Sequence, residues 1–317
     1  MSKSLFLLGT GYIGGSVLVA LLDKKAYKIS ALCRDEKKAD MLREMGVRPV
    51  MGELSSDEVI SKEAAASDII MHIATADDLP SVKSILKGLS QRDSSKAPAV
   101  YVHTSGTGVL TVPTHPDDIT FNDKDPAKFD KLIPDHAPHR EIDLTIKRAV
   151  EEGKLNAKVS IILPPCIYGI GTGPFNQISI QIPRWIKESI KEGKVINHGP
   201  QNYWRNIHIR NLVTAYLTLL SHLEQTTAPP PLYIIAETGG HRWGDLGILL
   251  DKLLKERGLI KGKMVEDPEG STETETGTQS RSKAEWLHEW GWKVEPAETI
   301  EESMVEEIDF MRKTVAI

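Results

Sequence analysis

The amino-acid sequence predicts an α/β fold, a doubly wound parallel sheet with a smaller C-terminal lobe. Three observations predict it. Short apolar runs alternate with amphipathic segments of helical period through the first half of the chain. A glycine-rich turn stands directly between the first apolar run and the first amphipathic segment. The 317 residues suffice for one large or two modest domains with a real core.

The elements follow in order. Residues 5–8 form the first strand, and 14–24 a helix with Val17, Leu18, Leu21 and Leu22 on one face. Strands at 28–33, 47–51, 69–73 and 100–103 alternate with helices at 36–44, 57–66 and 79–89, which is the pattern of parallel βαβ units. Residues 111–135, rich in Pro, Asp and Lys, read as a long surface loop. A helix over 138–152 and a buried strand over 159–163 come next. Further on, 182–191, 212–223 and 246–257 read as helices, 232–236 as a strand, and the polar, low-complexity stretch 266–280 as a mobile loop.

Composition narrows the function classes. A net charge of −5 and a pI near 6.1 argue against nucleic acid as the main partner, because phosphate binding calls for a basic face. Cys33 and Cys166 each lie in an apolar stretch and read as buried thiols in a reducing compartment. No apolar stretch approaches the ~20 residues of a membrane helix. The basic, apolar start gives way to glycine after residue 8, so it reads as a strand rather than a leader. A cytoplasmic protein is expected, with a small-molecule substrate as partner, a homodimer as the assembly to look for, and no nucleic acid or membrane.

Gly9-Thr10-Gly11-Tyr12-Ile13-Gly14 is a G-x-G-x-x-G that follows a strand and opens a helix. In that context the first glycine permits the tight turn, the second lets backbone approach a pyrophosphate, and the third allows close helix–strand packing. A nicotinamide dinucleotide is the cofactor implied, and the fold is of Rossmann type. At the end of the second strand an NAD site usually carries an acidic residue for the ribose hydroxyls. Here the chain reads Ala31-Leu32-Cys33-Arg34-Asp35. Arg34 can pair a 2′-phosphate, which favours NADP; with Asp35 in the acidic role the cofactor would be NAD.

Four further segments carry a family resemblance. These are 68–75 with Ala74 and Thr75 at its end, 102–109 with Ser105, Leu163-Pro164-Pro165-Cys166-Ile167-Tyr168-Gly169, and Arg205-Asn206-Ile207-His208-Ile209-Arg210-Asn211. In this order and spacing they resemble the short-chain dehydrogenase/reductase superfamily, in its extended or atypical branch of epimerases, dehydratases and NmrA-like proteins. The resemblance implies hydride transfer at a carbonyl or secondary alcohol. It implies that Ala74 and Thr75 run beside the cofactor ribose, and that Pro164, Cys166 and Ile167 meet the nicotinamide carboxamide. Ser105 would hold the substrate oxygen, with Tyr168 and Arg205 on the substrate side. Residues 1–169 would form the dinucleotide domain, joined by a returning helix and strand around 207–236. Residues 170–206 and 237–317 would form the substrate lobe, where Phe175, Trp185, Tyr203, Trp204 and Trp243 read as core more readily than as surface. The tryptophans of 286–292 read as packing.

The family's Tyr-x-x-x-Lys pair should open the helix after the fifth strand. That stretch is Pro134-Asp135-His136-Ala137-Pro138-His139-Arg140-Glu141-Ile142-Asp143, with neither residue. No tyrosine in the chain has a lysine four residues on. In one register His139 stands in the tyrosine place with Asp143 one turn on to orient its ring. In the other, His136 and Arg140 fill the two places. A histidine can move the proton, but the stretch also reads as a plain helix start. Two functions follow. One is an NADP-dependent oxidoreductase of epimerase/dehydratase type using Ser105 with His139 or His136. The other is a non-catalytic, NmrA-like regulator that senses redox state by binding NADP. A cofactor-assisted isomerase or lyase is a third.

Overall fold

The computed structural model describes residues 2–111, 119–267 and 275–315. The alternation becomes β1 (Lys3–Leu8), α1 (Tyr12–Asp23), β2 (Tyr27–Cys33), α2 (Glu36–Glu44), β3 (Arg48–Met51), α3 (Asp57–Ala66), β4 (Ile69–His72), α4 (Leu79–Ser90) and β5 (Ala99–Thr104). There follow β6 (Phe121–Asn122), α5 (Pro126–Leu132), α6 (Arg140–Glu151), β7 (Ala157–Leu163), β8 (Cys166–Tyr168), α7 (Gln181–Glu192), β9 (Ile196–Asn197), β10 (Tyr203–His208) and α8 (Ile209–Gln225). The chain closes with β11 (Tyr233–Ile235), β12 (Gly239–Arg242), α9 (Trp243–Glu256), β13 (Val265–Glu266), β14 (Ser282–Lys283), α10 (Trp286–Glu289) and α11 (Ile300–Thr314).

Seven strands form one parallel sheet in the order β11-β7-β5-β4-β1-β2-β3. β1, β4 and β5 are buried almost end to end, as a sheet covered on both faces requires. Right-handed crossovers place α3, α4 and α6 along one face and pack α1 against α8 on the other. Strand order reverses between β1 and β4, and the crevice beyond their C-terminal ends is where such sheets bind ligands. Both cysteines are buried. Among the described residues no helix is long and apolar enough to cross a membrane.

A second core is built from β8, β10, α7, α9 and α11, with Trp185, Trp204 and Trp243 at its centre. Trp243 meets the other two edge-on, at 5.8 and 6.1 Å between ring centroids. Cys166 and Tyr168 belong to this cluster, whereas Leu287 and Trp292 pack on the core of the large sheet. The C-terminal segment thus serves both halves.

Residues 111–135 are not the plain surface loop their composition suggests. Residues 112–118 lie outside the described residues, but β6 and α5 fold inward. Asp125 and Pro126 open α5, and Phe129 is fully buried, stacked on Tyr233 at 5.0 Å and edge-on to Phe121 at 5.4 Å. The polar composition masked these few apolar anchors. Phe129→Ala is expected to cost about 3–5 kcal/mol in urea unfolding; a loss under about 1 kcal/mol would show that the segment lies outside the core. In the stretch 266–280, residues 268–274 lie outside the described residues. Ser280 beyond them is buried and donates to the Thr107 carbonyl at 3.0 Å, next to the site below.

Candidate active site

The glycine turn sits at the mouth of the crevice. Gly9 has φ of +100°, and a Cβ there would come within 2.4 Å of the Ala74 backbone at the end of β4. A Cβ on Gly14 would lie 2.0 Å from the Gly9 carbonyl. Gly11 differs: a Cβ there would meet nothing within 4 Å. Gly9 and Gly14 therefore fold the turn, while Gly11 keeps open the space over the first amides of α1. That turn carries no acidic side chain to compete with an anion. Thr10 and Tyr12 are buried, Ile13 partly so. The residues present fit a dinucleotide pyrophosphate.

At the end of β2, Arg34 and Asp35 are both exposed. The Asp35 carboxylate caps α2 by accepting from the Lys38 amide at 2.9 Å. Arg34 forms no ion pair among the described residues.

Ser105, just past β5, is buried and donates its hydroxyl to Asp143 Oδ2 at 3.0 Å. Asp143 lies on the inner face of α6, 1% exposed. Burial pushes its carboxyl up to about 7; the Ser105 hydroxyl and Arg140 pull the other way, and Asp77 adds to the rise. His139 is the N-cap of α6 with φ of +64°, a conformation costly for a non-glycine residue. Its Nδ1 lies 2.6 Å from Asp77 Oδ1. Its Nε2 faces the turn after Ser105, 3.1 Å from where a Cβ on Gly108 would stand.

Asp143 was expected to orient His139, and it does not. The left-handed backbone turns the His139 ring out over residues 106–108, whereas Asp143, inside the helix, faces β5. The ring is held by Asp77, from the loop after β4. The second register is not assembled either. His136 stands exposed on the preceding turn. Arg140 is turned inward, 2% exposed, donating to Tyr233 Oη at 3.1 Å and pairing with Asp130 at 3.0 Å. Its guanidinium anchors α6 to α5 and β11.

On the substrate side, Arg205 donates to the Ser282 carbonyl at 2.9 Å and pairs with the buried Glu237 at 3.3 Å. Tyr168 is buried edge-on against His208, 5.3 Å between centroids. Thr75 Oγ1 accepts from the Asp77 amide at 3.2 Å, and the Pro164 carbonyl accepts from the Thr107 amide at 3.0 Å. Cys166 is buried and Ile167 partly buried in β8, which pairs with β10. Tyr12 Oη donates to the Gly169 carbonyl at 2.7 Å, and the Gly169 amide donates to Glu307 of α11 at 2.7 Å. Glu307 is fully buried, its carboxyl raised to about 8 by that burial.

Sequence reasoning missed Asp77, which lies 62 positions from His139 in a loop without a motif. It also missed the buried pair His72 and His103. Strand alternation was the available signal for the latter, since it aligns 101, 103 and 105 on one face.

No protein-family model matches the chain. Among curated proteins it is similar to the oxidase ucsJ of an Acremonium species, 28% identical over 290 residues, covering 84% of this chain and 83% of that protein. A shorter similarity, 26% over 121 residues and 34% of this chain, is to a decarboxylating sterol-4-alpha-carboxylate 3-dehydrogenase from Dictyostelium discoideum, of which it covers 37%. Among solved structures, a dTDP-glucose 4,6-dehydratase from Streptomyces venezuelae superposes with TM-score 0.71 at 14% identity, over 98% of each chain. A UDP-glucose 4-epimerase from Thermotoga maritima does so with TM-score 0.68 at 15% identity, over 98% of this chain and 99% of that one. The strand order, the glycine turn at its switch point and these superpositions agree: the chain has the Rossmann-type α/β fold of these dehydratase and epimerase structures.

Proposed function

We propose that the chain is an NADP-dependent oxidoreductase of the epimerase/dehydratase type, acting on a small carbonyl compound or secondary alcohol. The observation that carries this reading is the buried Ser105–Asp143 hydrogen bond beside the His139–Asp77 pair, at the crevice where the glycine turn opens. The similarity to an oxidase over most of the chain supports it. The dehydratase structure named above holds NAD; the preference for NADP rests on Arg34 and on Asp35 being engaged as a cap.

The bound nicotinamide would supply hydride transfer. The chain's own residues would handle the oxygen and its proton. With Asp143 ionised, the Ser105 proton is held by the carboxylate, so Ser105 offers lone pairs to a substrate hydroxyl. With Asp143 neutral, that proton is free to donate to a carbonyl. His139, its Nδ1–H held by Asp77, presents an Nε2 lone pair as base, or its conjugate acid as donor.

A panel of small carbonyl compounds with NADPH tests this. Turnover is expected and should fall about 100-fold or more in Ser105→Ala and His139→Ala. NADPH binding without turnover on any member would favour the regulator reading. Arg34→Ala is expected to weaken NADPH binding about tenfold to a hundredfold by calorimetry, the loss of charge-assisted bonds to a phosphate, while NADH binding stays level. Equal losses for both would refute the NADP preference.

A further inference from the structure

Tyr101, His103 and Ser105 point to the face of β5 that α6 covers, and all three are buried. Asp143 takes the Ser105 hydroxyl at one end of this row, and its charge reaches Tyr101 at the other. His103 lies between these two residues in the row. Asp143 Oδ1, His103 Nε2 and Tyr101 Oη, all buried here, have no hydrogen-bond partner among the described residues, a condition buried polar atoms rarely keep.

Behind His103 the bonds are complete. Its Nδ1 lies 3.0 Å from His72 Nδ1, His72 Nε2 lies 3.3 Å from Ser81 Oγ, and Ser81 Oγ donates to the Asp78 carbonyl at 3.0 Å. One hydroxyl proton serves one acceptor, so Ser81 gives its proton to Asp78 and accepts from His72 Nε2–H. His72 Nδ1 is then an acceptor and His103 Nδ1 the donor, which leaves a lone pair on His103 Nε2. Burial keeps both rings neutral, holding His72 down to about 4 and His103 well below the usual histidine range.

We infer that His103 is a positioning residue for the Ser105–Asp143 pair. Its Nε2 accepts from a water molecule that also donates to Asp143 Oδ1 and accepts from Tyr101 Oη. One interior water with about three bonds satisfies all three atoms. The inference rests on the proposed role of Ser105. The groups that act on Asp143 are Arg140 on its own helix, Tyr101 on β5 and Ser105 just past it, Tyr233 on β11, and Asp77 in the loop after β4. The proton of a bound alcohol passes to Ser105 as the Ser105 proton passes to Asp143. Asp143 then holds that proton on Oδ2, with the water still donating to its Oδ1.

Carboxyl carbon NMR on the full chain, labelled in aspartate and without substrate, tests the inference, with Asp143→Asn assigning the resonance. Asp143 should titrate near 7. His103→Phe removes the acceptor and the seat of the water, and should raise the midpoint by about one pH unit, tenfold in proton affinity. His103→Gln, which keeps a polar partner, should recover at least about half of that shift. A His103→Phe midpoint within about 0.2 units of wild type would overturn the inference. If that variant does not fold, ring-nitrogen NMR of the wild type decides: His103 should be neutral with its proton on Nδ1, and a proton on Nε2 overturns it. NADPH calorimetry on the same samples is a separate arm. Failure to bind NADPH would refute the proposed function and leave the titration result standing.

Discussion

Gly11→Val is expected to abolish dinucleotide binding while leaving the protein folded, and Gly14→Val to unfold it. The two positions lie three residues apart in one turn, yet the structure gives their missing side chains opposite meanings. At Gly14 a Cβ would stand 2.0 Å from a backbone carbonyl, which cannot be relieved without separating α1 from β1. Displacing a buried helix from a central strand costs more than about 4 kcal/mol, a large share of the stability of a typical domain. At Gly11 a Cβ meets nothing within 4 Å, so the valine side chain would stand in the space left for phosphate. The Tm of Gly11→Val should stay within about 3 °C of wild type, its NADPH affinity falling at least about 100-fold. A Gly11 variant that binds NADPH normally would remove the basis for the proposed cofactor site.

The second large effect is a pH dependence set by Asp143. Its folded value of about 7 lies above the ~3.9 of an unfolded aspartate. Between these values the native state holds a proton that the unfolded chain has released. Stability from this residue is therefore greatest below about pH 4, falls as pH rises, and levels off above about 7. Asp143→Asn keeps an oxygen to accept from Ser105 and cannot ionise. It should match wild type near pH 4 and exceed it at pH 8 by on the order of a few kcal/mol in urea unfolding. Glu307, raised to about 8, acts in the same direction, but it is common to both proteins and cancels in the comparison. A stability difference that stays constant from pH 4 to 8 would show that Asp143 is not held neutral by burial.

What could be read from the sequence was what repeats or sits at fixed spacing. The seven sheet strands and the helices between β1 and β5 follow from local apolar period, and the glycine turn from spacing that backbone sterics dictate. Ser105 and His139 stood out as candidates because the family resemblance places site residues at those offsets from an element end. Their partners did not. Asp77 reaches His139 across 62 positions, and His103 meets His72 across 31, separations that only the strand order brings together. The fault with Asp143 was geometric: helical spacing suggested a neighbour for His139, but one left-handed residue at the N-cap sent the ring elsewhere. α5 escaped because aromatic anchors at 121 and 129 are too sparse to make a period.

The bridge from Tyr12 through the Gly169 carbonyl and amide to Glu307 has a consequence for how the molecule comes apart. The first helix of the amino-terminal half and the last helix of the chain hold the same residue, one through its carbonyl and the other through its amide. Melting of either end withdraws a buried partner from the other. Denaturation is thus expected as one concerted event rather than half by half, and a fragment ending at the crossover would lack the clasp that steadies its own leading turn.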